Sequence, residues 1–441
     1  MASPRVAHRL TAPVVLPADP ACSVVRDGAI DVDDSGRITY CGTAADAPGE
    51  AERTTAKDGI LLPGLVNTHA HSPMVLLRGM GGDLPLLRWL REVIWPTEAK
   101  LRPSDVRAGM VLGSIEMLRR GVTTSAEMYF HAEQMAEAVL TTGARAVIGG
   151  PIIDLPGLDW RALLADTSKW IDADGLRWGQ GDRIELSYAG HSAYMLPPEA
   201  LGAIADEARQ RDALVQIHVA EAADEDAEQR ANHGSVPRLL DEVGLLRGRL
   251  IAAHSVHLSD EDIALFAARG TGVAHCPGSN AKLASGIARL PELQAADVRV
   301  GLGTDGPASN DDLDLWEEIQ LSAMLARLST QDATAVTAAD ALLLATRGGA
   351  DALGRDDIGA LEEGRWADVV HVDTDDPAFA AGIDVPDEQL LGNLVWAAGS
   401  RRVTDVWVAG EQVVSGGESS RVDRGEAQAN VAVASDRLRG A

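Results

Sequence analysis

Lysine is almost missing from this chain. Only four of 441 residues are Lys (Lys57, Lys100, Lys169, Lys282), and arginine carries nearly all the positive charge. The three cysteines, Cys22, Cys41 and Cys276, are too few and too scattered for a disulfide framework or a cysteine-rich zinc module, so a reducing compartment is the default. Basic residues are in deficit, 39 against 66 acidic ones, for a net charge of −27. Nucleic acid and anionic membranes are recognised through a basic footprint, and neither is an expected partner. The acidic excess reads as a solvated surface. A long hydrophobic run is also lacking. The longest stretch free of Asp, Glu, Lys and Arg, residues 59–77, holds two prolines, Asn67 and two histidines and is no membrane span. The first fifteen residues have no apolar core of a signal peptide, and a cytoplasmic protein is expected.

What remains is ordinary globular composition, 46% apolar and 24% charged, at a length that allows one large domain and one smaller one. Up to about residue 58 the chain reads as short strands (12–16, 28–32, 38–41) separated by polar turns. From residue 59 the texture changes. Apolar runs at 60–67, 122–129, 144–150, 184–190, 213–219, 250–255, 272–276 and 298–304 alternate with helical patterns at 104–120, 132–142, 198–211, 260–269 and 313–328. That alternation predicts an α/β fold, a closed (β/α)8 barrel of the TIM type. Strand-like patterns return at 362–372 and 403–415, and a helix is expected in the Ala-rich tail after residue 416. The terminal segments are each too small to fold alone. Residues 1–58 and 355–441 are therefore expected to combine into one small β-sandwich domain beside a barrel of residues 59–354.

The chemistry collects at the predicted strand ends. In LLPGLVNTHAHS, His69 and His71 are two residues apart, so an extended chain projects both to one face. Six of the 11 histidines fall at or just past a strand's C-terminal end: His69, His71, His191, His218, His254 and His275. Asp305 follows the eighth strand. In an eight-stranded barrel these ends meet at one mouth. His69, His71, His218 and Asp305 form a three-imidazole, one-carboxylate set suited to one divalent ion. Zn²⁺ is the first choice, with Fe²⁺ or Mn²⁺ also able to sit there. Such an ion lowers the pKa of a bound water to about 7. Asp305 is placed to take that water's proton. Glu221, three residues past His218, is placed to protonate a ring nitrogen, and His254 to shuttle a proton. His257 reads as structural. Barrels that hold two metals commonly bridge them with a carboxylated lysine, but Lys100 and Lys169 sit in a polar turn and a helix-like stretch, so one metal is expected.

The ordered motifs PGLVNTHAH, HVAE, AAHSVHL, HCPGSNAKL and LGTDGPASND resemble the amidohydrolase superfamily, most closely its 5′-methylthioadenosine/S-adenosylhomocysteine deaminases. The resemblance covers about residues 59–373. It implies hydrolytic deamination of an adenosine-type purine nucleoside, with water adding at C6, Glu221 protonating N1 and ammonia leaving. It also implies that Glu98 in WPTEAKL and His191 in GHSAYMLPPE reach the sugar and that Ser309 lines the purine pocket. A homo-oligomer is the expected assembly. Two departures stand out. Gly149-Gly150 occupies the place where the family carries an arginine for the S-adenosylhomocysteine tail, and Glu127 stands where the family often has Asp. Adenosine, 5′-methylthioadenosine, S-adenosylhomocysteine and 5′-deoxyadenosine all remain candidate substrates. The competing reading is a deaminase or chlorohydrolase of another heterocycle, such as guanine, 8-oxoguanine, a pterin or an s-triazine.

Overall fold

In the computed structural model, which describes residues 6–82, 84–398 and 402–440, the chain changes sheets at Gly64. The expected first barrel strand, residues 60–67, is two strands. Ile60–Pro63 lies in the small sheet, antiparallel to Val369–Val372 and parallel to the end of His8–Val15. Leu65–Ala70 begins the barrel. The Gly64 N–H bonds Asp368 O at 2.9 Å, while the next N–H, that of Leu65, bonds Gly121 O at 2.9 Å in the barrel. Pro63 has no N–H to carry a ladder onward. A Cβ at Gly64 would lie 2.0 Å from Thr123 Oγ1. The break therefore hides inside an unbroken apolar run, where hydropathy does not reveal it.

The eight barrel strands, first to eighth, are Leu65–Ala70, Val122–Met128, Arg145–Gly149, Ile184–Ser192, Leu214–Val219, Leu250–His254, Gly272–His275 and Arg299–Leu302. They pair in parallel, in chain order. Nearly all their residues are buried, as expected where helices cover one face and the barrel interior the other. A parallel bridge between Ala70 and Asp305 joins the two edges. Side chains reinforce this seam: Thr68 Oγ1 donates to Leu302 O at 2.8 Å and Asn67 Nδ2 to Thr304 Oγ1 at 2.8 Å. Gly301 lets the edges nest, since a Cβ there would sit 2.4 Å from Thr68 Cγ2. The fold is thus a (β/α)8 barrel with a separate small β domain.

Helices Ala132–Thr142, Pro198–Arg211 and Asp260–Arg269 have the expected bounds, and Pro103–Arg119 and Leu315–Thr330 lie close to theirs. Local chemistry explains one start well. Ser259 Oγ accepts the Asp262 N–H at 3.2 Å and Asp262 Oδ2 accepts the Ser259 N–H at 3.0 Å, a reciprocal cap.

The small β domain is one continuous sheet. From edge to edge it runs Glu418–Ser419, Glu411–Ser415, Val403–Val408, Val369–Val372, Ile60–Pro63, His8–Val15, Val25–Val32 and Ile38–Thr43, with Arg53–Ala56 beside His8–Val15. Leu10, Ile30 and Ile38 from one wing share an apolar cluster with Val369 and Trp407 from the other. The expected tail helix is Arg424–Arg439, tied to the barrel by Ser435 Oγ donating to Leu76 O at 3.0 Å. Among the described residues no helix is long and apolar enough to cross a membrane.

Candidate metal centre

The strand ends bring the predicted residues together. The ring of His69 lies 4.7 Å from that of His71, 4.9 Å from His218 and 5.5 Å from His254, centroid to centroid. Asp305 Oδ1 is 3.2 Å from His71 Nε2 and 3.5 Å from His69 Nε2. His71 Nε2 and His218 Nε2 are 3.4 Å apart. Ligand atoms of His69, His71 and Asp305, and again of His69, His218 and His254, lie within 4.8 Å of one another. The two groups share His69 and so describe one compact centre.

Backbone carbonyls set the ring tautomers. His71 Nδ1–H donates to Met128 O at 2.5 Å and His218 Nδ1–H to His191 O at 2.7 Å, which turns both Nε2 atoms inward. Burial pulls the His71 ring down, but Asp305 beside it outweighs that and raises it to about 8, so a bound cation would displace its Nε2 proton. His69 Nε2 is buried with no hydrogen-bond partner. Such an orphan costs about 1–3 kcal/mol unless something takes its lone pair. Burial holds the His69 ring down to about 4 and His218 well below its usual value, so both are neutral imidazoles, the form a metal binds. Burial alone would push the Asp305 carboxyl up, but the His69 and His71 rings beside it outweigh that and hold the group well below its usual range. An anionic carboxylate, inward Nε2 atoms and an orphaned ring nitrogen fit a single divalent cation.

The lysines lie elsewhere. Lys169 is exposed on the helix Trp160–Asp174 and Lys100 in a turn, while Lys57 pairs with Asp405 and Lys282 with Asp311. None can bridge a second ion.

A supporting layer surrounds the donors, and in it Ser279 and Asn280 are residues to which the motif reading assigned no role. Ser279 Oγ donates to Asp305 Oδ2 at 2.6 Å and Ser309 Oγ donates to the same oxygen at 2.8 Å. Ser309, expected against the purine, thus also holds the Asp305 carboxylate in place while lining the cavity. Asn280 Oδ1 lies 2.9 Å from His254 Nδ1. Glu127, the departure from Asp, accepts from Ser72 N (2.9 Å), Ser72 Oγ (2.6 Å) and Ser125 Oγ (2.7 Å), and so fixes the turn that follows His71.

Glu221 is buried, with Oε2 3.7 Å from His254 Nε2. Burial raises its carboxyl above the usual value, opposed by His254 and His71 and aided by Asp305. Four non-glycine residues at this mouth take left-handed backbone: Ala220 (φ 46°), His254 (67°), Ser255 (51°) and Asp305 (61°). Strain of that kind persists only where surrounding contacts enforce it.

His191 lines the same cavity, its ring 4.8 Å from that of His218. Glu98 ends the short helix Trp95–Glu98. Burial raises its carboxyl, with the Tyr129 hydroxyl and His71 pulling the other way; it is not among the residues that line the cavity. His275 is buried at the seventh strand's end but joins neither donor group. His257 contacts Ser285 O at 2.8 Å, away from the donors. Met74, Leu86, Trp89, Leu90 and Leu283 supply the apolar part of the cavity's lining. No sequence signal separated these side chains from ordinary core.

Comparison with known proteins agrees with this arrangement. The amidohydrolase family model matches residues 60–413. A 5-methylthioadenosine/S-adenosylhomocysteine deaminase of Pelotomaculum thermopropionicum is 40% identical over 395 residues, covering 89% of each chain. A 5′-deoxyadenosine deaminase of Methanopyrus kandleri is 38% identical over 422 residues, 94% of this chain and 96% of that one. Among solved structures, an adenosine deaminase from Xanthomonas campestris with bound zinc superimposes with a TM-score of 0.92 at 39% identity, over 99% of this chain and 100% of that one. The chain belongs to the amidohydrolase superfamily and, within it, to the 5′-methylthioadenosine/S-adenosylhomocysteine deaminase family.

Proposed function

We propose that this chain is a metal-dependent hydrolytic deaminase of adenosine-type purine nucleosides, converting the 6-amino compound and water to the inosine product and ammonia. The observation that carries the reading is the single cavity that joins Glu221 and His254 to His71, His218 and Asp305. His69, His71, His218 and Asp305 hold one divalent ion, Zn²⁺ by the chemistry of the donor set and by the zinc in the Xanthomonas relative. The ion's contribution when bound is to lower the pKa of a water to about 7.

The protein's own groups do the rest. Asp305 accepts the proton of the attacking water. Glu221, whose carboxyl burial raises above its usual range, donates to N1 of the purine, which makes C6 electrophilic. His254 hydrogen-bonds the incoming oxygen and passes a proton toward the departing ammonia. Glu98 and His191 bind ribose hydroxyls and Ser309 lies against the base. Adenosine, 5′-methylthioadenosine, 5′-deoxyadenosine and S-adenosylhomocysteine define the substrate range, in keeping with the activities named for the relatives. The protein works in the cytoplasm as a homo-oligomer without nucleic-acid partners. Its residues 1–58 and 355–441, with strand Ile60–Pro63 between their sheet strands, serve as a composite β domain beside the catalytic barrel.

Zinc-loaded protein incubated with each of these nucleosides and with guanine, with ammonia release as the readout, tests the reading. Turnover of at least one adenosine-type nucleoside is expected. Turnover of guanine alone overturns it.

A further inference from the structure

We infer that Glu225 is a positioning residue for Glu221, clamping the main chain that carries the proposed acid; this rests on the role assigned to Glu221 above. Glu225 lies one helical turn past Glu221, in the first turn of helix Ala223–His233. Its Oε2 accepts the N–H of Glu221 at 3.0 Å and that of Ala222 at 3.5 Å. Its other oxygen is buried without a partner. The carboxylate therefore grips the peptide of the very residue that must aim a proton.

Helix capping alone does not account for this placement. The bond to the Ala222 N–H is the reach-back bond of a residue at the third helical position, but the shorter bond goes to the Glu221 N–H, one residue before the cap, which capping does not require. Glu225 is also 6% exposed and buried beside another carboxyl, an arrangement that costs stability. Burial and the Glu221 charge raise its own carboxyl to about 7, consistent with a group kept there against its preference.

The same helix also holds the opposite partner. Arg230 Nη2 donates to His257 O at 2.6 Å and to Asp262 Oδ2 at 3.0 Å. The N–H groups of Val256 and His257 bond Ala220 O at 3.1 and 3.0 Å. The segment after His254 and the segment bearing Glu221 are thus stitched to each other and to one helix. Glu225 sets Glu221 in that frame, 3.7 Å from His254. A displacement of about 1 Å at such a site is worth about 100-fold in rate.

The test compares Glu225→Ala, Glu225→Gln and Glu225→Asp with the control Asp224→Ala, all as zinc-loaded enzyme with metal content and Tm measured beside kcat and KM. Glu225→Ala removes the acceptor and is expected to lower kcat by about 100-fold, with KM within about threefold of the parent. Glu225→Gln keeps an acceptor oxygen and is expected to recover most of that loss. Asp224→Ala is expected to keep the parent kcat. If Glu225→Ala does not fold, Glu225→Asp, whose shorter arm falls short of the Glu221 N–H, carries the same expected drop in kcat. A folded, metal-loaded Glu225→Ala or Glu225→Asp with the parent kcat overturns the inference while leaving the deaminase reading intact. Equal damage from Gln and Ala also overturns it. A parent enzyme without nucleoside turnover overturns both.

Discussion

Replacing Glu318 with glutamine should make the protein's stability less sensitive to pH, by an amount the structure allows one to estimate. Glu318 sits on helix Leu315–Thr330 at 1% exposure. Its Oε2 accepts the Gly278 N–H at 2.8 Å and its Oε1 accepts Asn310 Nδ2–H at 2.9 Å. Burial dominates these hydrogen bonds and, with Asp312 and Glu317 nearby, pushes the carboxyl from 4.5 up to about 8. Below 4.5 both folded and unfolded chains hold the proton, and this group adds no pH dependence. Between 4.5 and 8 the folded chain keeps a proton that the unfolded chain has lost. Stability then falls as pH rises, by about 1.4 kcal/mol per pH unit. Above about 8 both forms are ionised and the slope vanishes. The full effect is on the order of 4–5 kcal/mol, a large share of a typical folding free energy. Glu318→Gln has nearly the same shape and no proton to lose. Urea unfolding of both zinc-loaded proteins, followed by far-ultraviolet circular dichroism between about pH 6 and pH 9, reads the difference directly. The variant's stability relative to the parent should grow by about 2–3 kcal/mol from pH 6 to pH 8 and then level off. A difference that stays constant over that range would refute the argument.

Glu221→Gln should retain its zinc and lose about 10²–10⁴-fold in kcat, measured by ammonia release beside metal analysis; near-parent turnover removes Glu221 from proton transfer. Ser279→Ala deletes one of two hydroxyls that hold Asp305 Oδ2. It should weaken zinc binding by about 10–100-fold in a chelator competition, and unchanged affinity would show that Ser309 alone suffices.

His69, His71, His218, His254 and Asp305 could be placed from the sequence because each closes or follows an apolar run, and parallel strands of a closed barrel end at one mouth. Runs at 132–142, 198–211 and 260–269 were readable because caps, prolines and glycines mark their limits. Other features depend on tertiary packing that no local pattern records. The break at Gly64 separates two apolar strands, so hydropathy passes over it. Ser279 and Asn280 are ordinary polar residues until the barrel brings them against Asp305 and His254. Glu225 stands in an acidic stretch, 221–228, that reads as a solvated face, yet the fold buries it.

The sheet that joins the two ends of the chain bears on how the protein is made. His8–Val15 pairs with Ile60–Pro63, but Ile60–Pro63 finds its other neighbour only in Val369–Val372. During synthesis, the free edge of Ile60–Pro63 therefore stays open while some three hundred further residues emerge. The barrel's eight strands all emerge before Val369–Val372, so the partner that closes this edge comes from beyond the barrel.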